Sequence, residues 1–178
     1  MPGHDERWTA AEEAGELLRE GEHEAAVAEA ERVLAADPEN EYAWYFLGAA
    51  RFEQGQLTKA LRAYVEALRR APAYVGAMVG AGHTLRLLGR YDEAIRMGKQ
   101  VLFRAPEDPD ALHLLGLAHF ARGDAAAARE YLERFLATRP ELEVAQEVQG
   151  ILQTLRGEVV PLDHDEGPPR GPGRGAHR

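Results

Sequence analysis

The segment EYAWYFLGAARFEQGQLTKALRAYVEALRRAPAY, residues 41–74, reads as two helices with punctuation between and after them. Residues 41–54 form the first, Gly55-Gln56 the turn, and 57–71 the second, ended by Pro72. Glycine suits a left-handed helix end and a tight turn. Proline stops a helix because it lacks an N–H and clashes with the preceding turn.

The same punctuation recurs along the chain. Pro38, Pro72, Pro106 and Pro140 are each separated by 34 residues (72−38, 106−72, 140−106). Gly21, Gly55, Gly89 and Gly123 keep that interval, as do Ala26, Ala60, Ala94 and Ala128, and Leu34, Leu68, Leu102 and Leu136. Four residue types holding one period through four copies define a repeat array. The small alanine falls where paired helices approach closely, since a larger side chain would push them apart. Thr9 and Glu12 have capping-box spacing with Trp8 just before them, which predicts that helix one starts near residue 9.

These residues resemble the tetratricopeptide repeat, whose pattern is W-x2-L-G-x2-Y, then A-x3-F, A and P. The second copy supplies Trp44, Leu47, Gly48, Ala60, Tyr64, Ala67 and Pro72, with Arg51 in place of the pattern's tyrosine and Phe52 beside it. The third supplies Gly82, Gly89, Tyr91, Ala94 and Pro106, and the fourth Leu112, Leu115, Gly116, Gly123, Ala128 and Pro140. In the first, Ala10, Glu13 and Ala14 stand where Trp, Leu and Gly are expected, as suits a terminal repeat facing water. The resemblance implies an all-α, right-handed α-solenoid of four helix-turn-helix repeats over 9–140, at about 7–40, 41–74, 75–108 and 109–142. Residues 1–8 are then a leader.

After Pro140 the stripe Val144, Val148, Ile151, Leu152 and Leu155 predicts a helix over 143–156 that caps the open side of repeat four. Residues 157–178 have no period and are rich in Gly and Pro, the composition of a disordered tail. Their one apolar cluster, Val159-Val160-Pro161-Leu162, is a candidate to visit the groove described below.

Five large rings crowd the first helix of repeat two. At about 100° per residue, Trp44, Leu47, Gly48 and Arg51 share one side, the packing face of the repeat. Tyr42, Tyr45, Phe46, Ala49 and Phe52 cluster roughly 150° away. In the resembled family the first helices of successive repeats line a concave surface, so this second set is expected to face a groove. The equivalent stripe holds Gly76, Val79, Gly80, His83 and Arg86 in repeat three, and His113, Leu117 and Phe120 beside Asp110 and Leu114 in repeat four. This predicts a shelf of rings beside a glycine-floored dip, too apolar to stay uncovered.

The chain has 178 residues, no cysteine and no serine, which excludes disulfides, thiolate metal sites and both nucleophiles. No metal-binding, phosphate-loop or nucleophile-elbow motif occurs, so neither an enzyme nor a cofactor is expected. Residues 1–40 hold 12 Asp+Glu against 3 Arg, which accounts for the whole net charge of −9. That balance argues against nucleic acid, which needs a basic footprint. The N-terminus lacks the pattern of a secretory signal and no stretch reaches the ~20 apolar residues of a membrane span, so a cytoplasmic protein is expected. His119 stands at the pattern's tyrosine and is expected to be packed and hydrogen-bonded.

The reading that follows is a protein-interaction module, an adaptor or chaperone-like scaffold, that holds an apolar segment of another protein. Its groove would use Tyr42, Tyr45, Phe46, Ala49, Phe52, Gly76, Val79, Gly80, His83, Arg86, His113, Leu117 and Phe120. The alternative is a homo-oligomer that fills the same groove with a second copy. The family's best-known groove clamps a C-terminal carboxylate with Lys, Asn and Arg. Ala11, Gly15, Phe46 and Gly80 occupy the corresponding positions here, so that clamp is not expected.

Overall fold

The computed structural model describes residues 3–157. Among them are nine helices: α1 (His4–Arg19), α2 (His23–Ala36), α3 (Glu41–Glu53), α4 (Leu57–Arg70), α5 (Val75–Leu87), α6 (Tyr91–Arg104), α7 (Pro109–Arg122), α8 (Ala125–Ala137) and α9 (Leu142–Arg156). They pair as α1·α2, α3·α4, α5·α6 and α7·α8, and each pair packs on the next. The first helices α1, α3, α5 and α7 also touch one another in series, whereas α2, α4, α6 and α8 do not. The array therefore closes on the side of the first helices and opens on the other, which gives the solenoid a concave and a convex face.

The repeated glycine explains the turn. Gly21, Gly55, Gly89 and Gly123 have φ of +81°, +72°, +75° and +87°, which an L side chain rarely adopts. The next residue then bonds back across the helix end, as Glu22 N–H to Leu17 O, Gln56 to Arg51, Arg90 to Leu85 and Asp124 to His119, each at 2.9 Å. This is the Schellman arrangement, and it satisfies carbonyls that the helix end would leave orphaned. The repeated alanines Ala26, Ala60, Ala94 and Ala128 are fully buried, as close approach of paired helices requires.

The capping helix is present as α9. Its Val148 and Leu152 pack on Leu112, Leu132 and Phe135, covering the apolar side of the fourth repeat. The tail expected from 157 onward lies outside the described residues from 158, and so does the Val159–Leu162 cluster.

Helix one begins at His4, not near residue 9, so much of the expected leader is helical. The Glu6 carboxylate accepts the Gly3 N–H at 2.9 Å and satisfies the true N-terminus. Thr9 does not cap: its hydroxyl donates to the Asp5 carbonyl at 2.9 Å within the helix. The early start lets Arg7 pair with Asp37 at 3.1 Å and Glu41 at 3.3 Å, and lets the buried Asn40 donate to Arg7 O at 2.9 Å. The Asn40 side chain also accepts from Tyr42 and Ala43 N–H and caps α3. One residue thus joins repeat one to repeat two.

Candidate functional site

The concave face carries a cavity of about 570 Å³ spanning α3, α5 and α7, with Leu18 of α1 and Glu147 of α9 at its edges. Its organisation follows from the repeat. Residues 34 apart occupy equivalent places on successive helices, so they stand side by side across the groove. One row is Tyr45, Val79, His113 and Glu147; the next is Ala49, His83 and Leu117; a third is Leu18, Phe52 and Arg86. With Gly76 and Gly80, ten of the expected groove residues are brought together here.

Three are not. Tyr42 is 8% exposed and Phe46 only 7%, so both belong to the core. Tyr42 hydrogen-bonds His4 through its hydroxyl and makes edge contacts with Trp8 and Tyr74. Phe46 lies over Gly15 of α1, where the absence of a side chain admits the ring. Phe120 is partly exposed but does not line the cavity. The shelf of rings is thereby reduced to Tyr45 and Phe52.

The expected dip over glycine is also filled, from below. A β-carbon at Gly80 would stand 2.5 Å from the Tyr64 ring, and one at Gly76 would stand 3.2 Å from Tyr45 and from Tyr74. These glycines admit tyrosine rings, and Tyr64, reaching up from α4, becomes part of the cavity floor. Burial pushes the Tyr45, Tyr64 and Tyr74 hydroxyls above the ordinary phenol range, so all three stay neutral.

The polar groups of the cavity are sparsely paired. The His83 and His113 rings lie 5.9 Å apart. Burial, reinforced by Arg86, pushes His83 down to about 4 and lowers His113 as well, so both are neutral at pH 7. His113 stacks on Phe135 at 4.6 Å, and its Nε2 is buried without a hydrogen-bond partner. The Arg86 Nε is likewise buried and unpartnered, and burial lowers its guanidinium pKa. Asp110 is raised by desolvation and by Asp108. Arg86, Glu53, Asp110 and Glu147 make no ion pair among the described residues. Such groups are suited to hydrogen bonding an incoming backbone or side chain. No group of three or more His, Cys, Asp or Glu among the described residues could hold a metal.

Leu18, Glu53, Tyr64, Asp110 and Glu147 line the cavity in addition to the expected groove residues. Glu147 carries a legible signal, because it stands 34 residues after His113 and α9 continues the series of first helices. Outside the cavity, His119 is 5% exposed, stacked on Tyr131 and bonded to Asp124 at 3.1 Å, as a packed histidine should be.

Comparison with known proteins agrees with this architecture. A family model for the tetratricopeptide repeat matches residues 11–75 and 79–143. Tetratricopeptide repeat protein 37 of Xenopus laevis is 29% identical over 139 residues, covering 70% of this chain and 9% of that protein. Superkiller complex protein 3 of Homo sapiens is 29% identical over 116 residues, covering 65% and 7%. The chain therefore spans less than a tenth of the length of these relatives. Among solved structures, Pseudomonas aeruginosa pilF superposes with a TM-score of 0.73 at 24% identity, over 85% of this chain and 69% of that one. A thermophilic tetratricopeptide repeat protein of Thermus thermophilus gives 0.70 at 21%, over 85% and 82%. At such identities the likeness is one of fold. No described helix is long and apolar enough to cross a membrane.

Proposed function

The chain belongs to the tetratricopeptide repeat family of protein-interaction scaffolds, and we propose that it holds an apolar segment of another protein in the concave cavity of repeats two to four. The observation that carries this reading is the composition of that cavity. Tyr45, Ala49, Phe52, Val79 and Leu117 offer a continuous apolar lining, while Arg86, His113 and Asp110 stand beside it without ion-pair partners. An apolar site with a few convergent polar groups is the usual form of a recognition pocket, the first giving affinity and the second orientation. A groove made by parallel helices suits an extended or helical segment laid across the rows.

The test begins with a peptide selected against the protein from a random display library. Calorimetry should show its affinity falling at least tenfold when Val79→Arg and Leu117→Arg fill the cavity, with helical circular dichroism unchanged. Undiminished affinity in that double variant would refute the reading.

A further inference from the structure

On the convex side, where the second helices stand apart, α4 is bordered by a larger cleft of about 730 Å³. Leu47 of α3 and Leu85 of α5 contribute to its floor; Leu61 and Val65 of α4 and Met97 of α6 contribute to its walls. Val65 is 50% exposed there, in a helix whose other face is fully packed. Nothing in the repeat pattern requires a valine at that place.

The charges around this cleft are not balanced. Each carboxylate that lines it is held in an ion pair: Glu31 with Arg51 at 3.0 Å, Glu66 with Arg70 at 2.6 Å and Glu93 with Arg90 at 2.7 Å. Two cations are not. Lys59 and Arg62, exposed on α4, make neither an ion pair nor a hydrogen bond among the described residues, yet both line the cleft. Three residues apart, they share one helix face, and Val65 continues that face by the same step. The cleft is thus apolar with a residual positive charge, on a chain whose net charge is −9. The concave cavity has the opposite bias, since Glu53, Asp110 and Glu147 outnumber Arg86 there.

We propose that this convex cleft is a second docking site, separate from the concave groove, for an acidic segment with apolar anchors supplied by another protein. Its apolar side chains would cover Leu61, Val65 and Met97, and its carboxylates would pair with Lys59 and Arg62. A basic segment would meet two uncompensated like charges, which is how such a surface rejects the wrong partner.

Trp44 lines the cleft and reports on it directly. With Trp8→Phe as background, Trp44 is the sole tryptophan. Its emission would be followed while the capped heptapeptide LDELLED is added, and then its neutral twin LNQLLQN and basic twin LKKLLKK. The acidic peptide should give a saturable change, about tenfold weaker for the neutral twin and absent for the basic one. Lys59→Glu with Arg62→Glu should weaken it at least fivefold; both positions are exposed, so the fold survives. Val79→Arg should leave it unaltered. The proposal is overturned by the absence of a saturable change up to about 1 mM acidic peptide. Equal binding of the neutral twin, or loss of binding in Val79→Arg, would overturn it as well. An emission change on removing residues 158–178, with no peptide present, would place this chain's own acidic 158–166 stretch in the cleft and would also overturn it.

Discussion

The Phe46 ring lies so close over Gly15 that a β-carbon at position 15 would stand 2.7 Å from its Cζ. This contact joins the first helices of repeats one and two and makes Phe46 a structural residue. Phe46→Ala should cost about 3–5 kcal/mol, the usual range for emptying a buried ring. Gly15→Ala should cost about 1–3 kcal/mol by overpacking the same place. Urea denaturation of both variants checks this. A Phe46→Ala loss below about 1 kcal/mol would return the ring to the groove surface.

The cap on repeat four is tested by truncation. Removing residues 142–178 uncovers Leu132 and Phe135, which Val148 and Leu152 now bury. Losing those two side chains alone should remove about 3–5 kcal/mol, seen as a lower melting temperature or as aggregation. Truncation after Gly157 keeps the cap and should melt as the full chain does.

Two glycines should respond oppositely to alanine. Gly123 ends α7 at φ +87°, so Gly123→Ala should destabilise by about 1 kcal/mol or more. Gly150 is exposed inside α9, with nothing within 4 Å of its would-be β-carbon. Gly150→Ala should stabilise by about 0.5–1 kcal/mol through helix propensity. Thermal melts of the pair decide the matter, and equal signs would contradict it.

Much of this architecture is legible because it repeats. Glycine, alanine and proline at 34-residue intervals give the turn, the close crossing and the stop of every helix pair, and each is local chemistry. The groove rows follow from the same interval, which is why Tyr45, Val79 and His113 are found side by side. What the stripe of one helix does not contain is the distance to its neighbour. Tyr42 and Phe46 point to the same side as Tyr45, but α1, starting five residues early and thinned at Gly15, closes over them. Gly76 and Gly80 likewise resemble open floor until Tyr64 and Tyr74 are placed beneath or beside them. Thr9 shows the third kind of miss. Its spacing to Glu12 suits a cap, but the helix had already been started at Gly3 by Glu6.

The packed histidines give stability a pH dependence of definite sign. His83 titrates near 4 when folded and near 6.5 when unfolded, so between these values the unfolded chain binds more protons. Stability should therefore be full above about pH 6.5, fall as pH drops toward 4, and level off below. The His83 share is at most about 3 kcal/mol. His113 and His119 are lowered too and act in the same direction, while Asp110, raised by desolvation, opposes them. Urea midpoints at pH 7.5 and 4.5 should differ less in His83→Gln than in the parent protein. An equal difference in both would show His83 to be open to water.

Amide NMR can show whether a bound partner occupies the concave cavity. Amide NMR spectra of the protein titrated with the display-selected peptide would be mapped onto the residues. The largest shifts should fall on Tyr45, Ala49, Val79, His83, His113 and Leu117, and Val79→Arg with Leu117→Arg should abolish them. Saturable shifts confined to other surfaces, with these six unmoved, would contradict binding in the cavity.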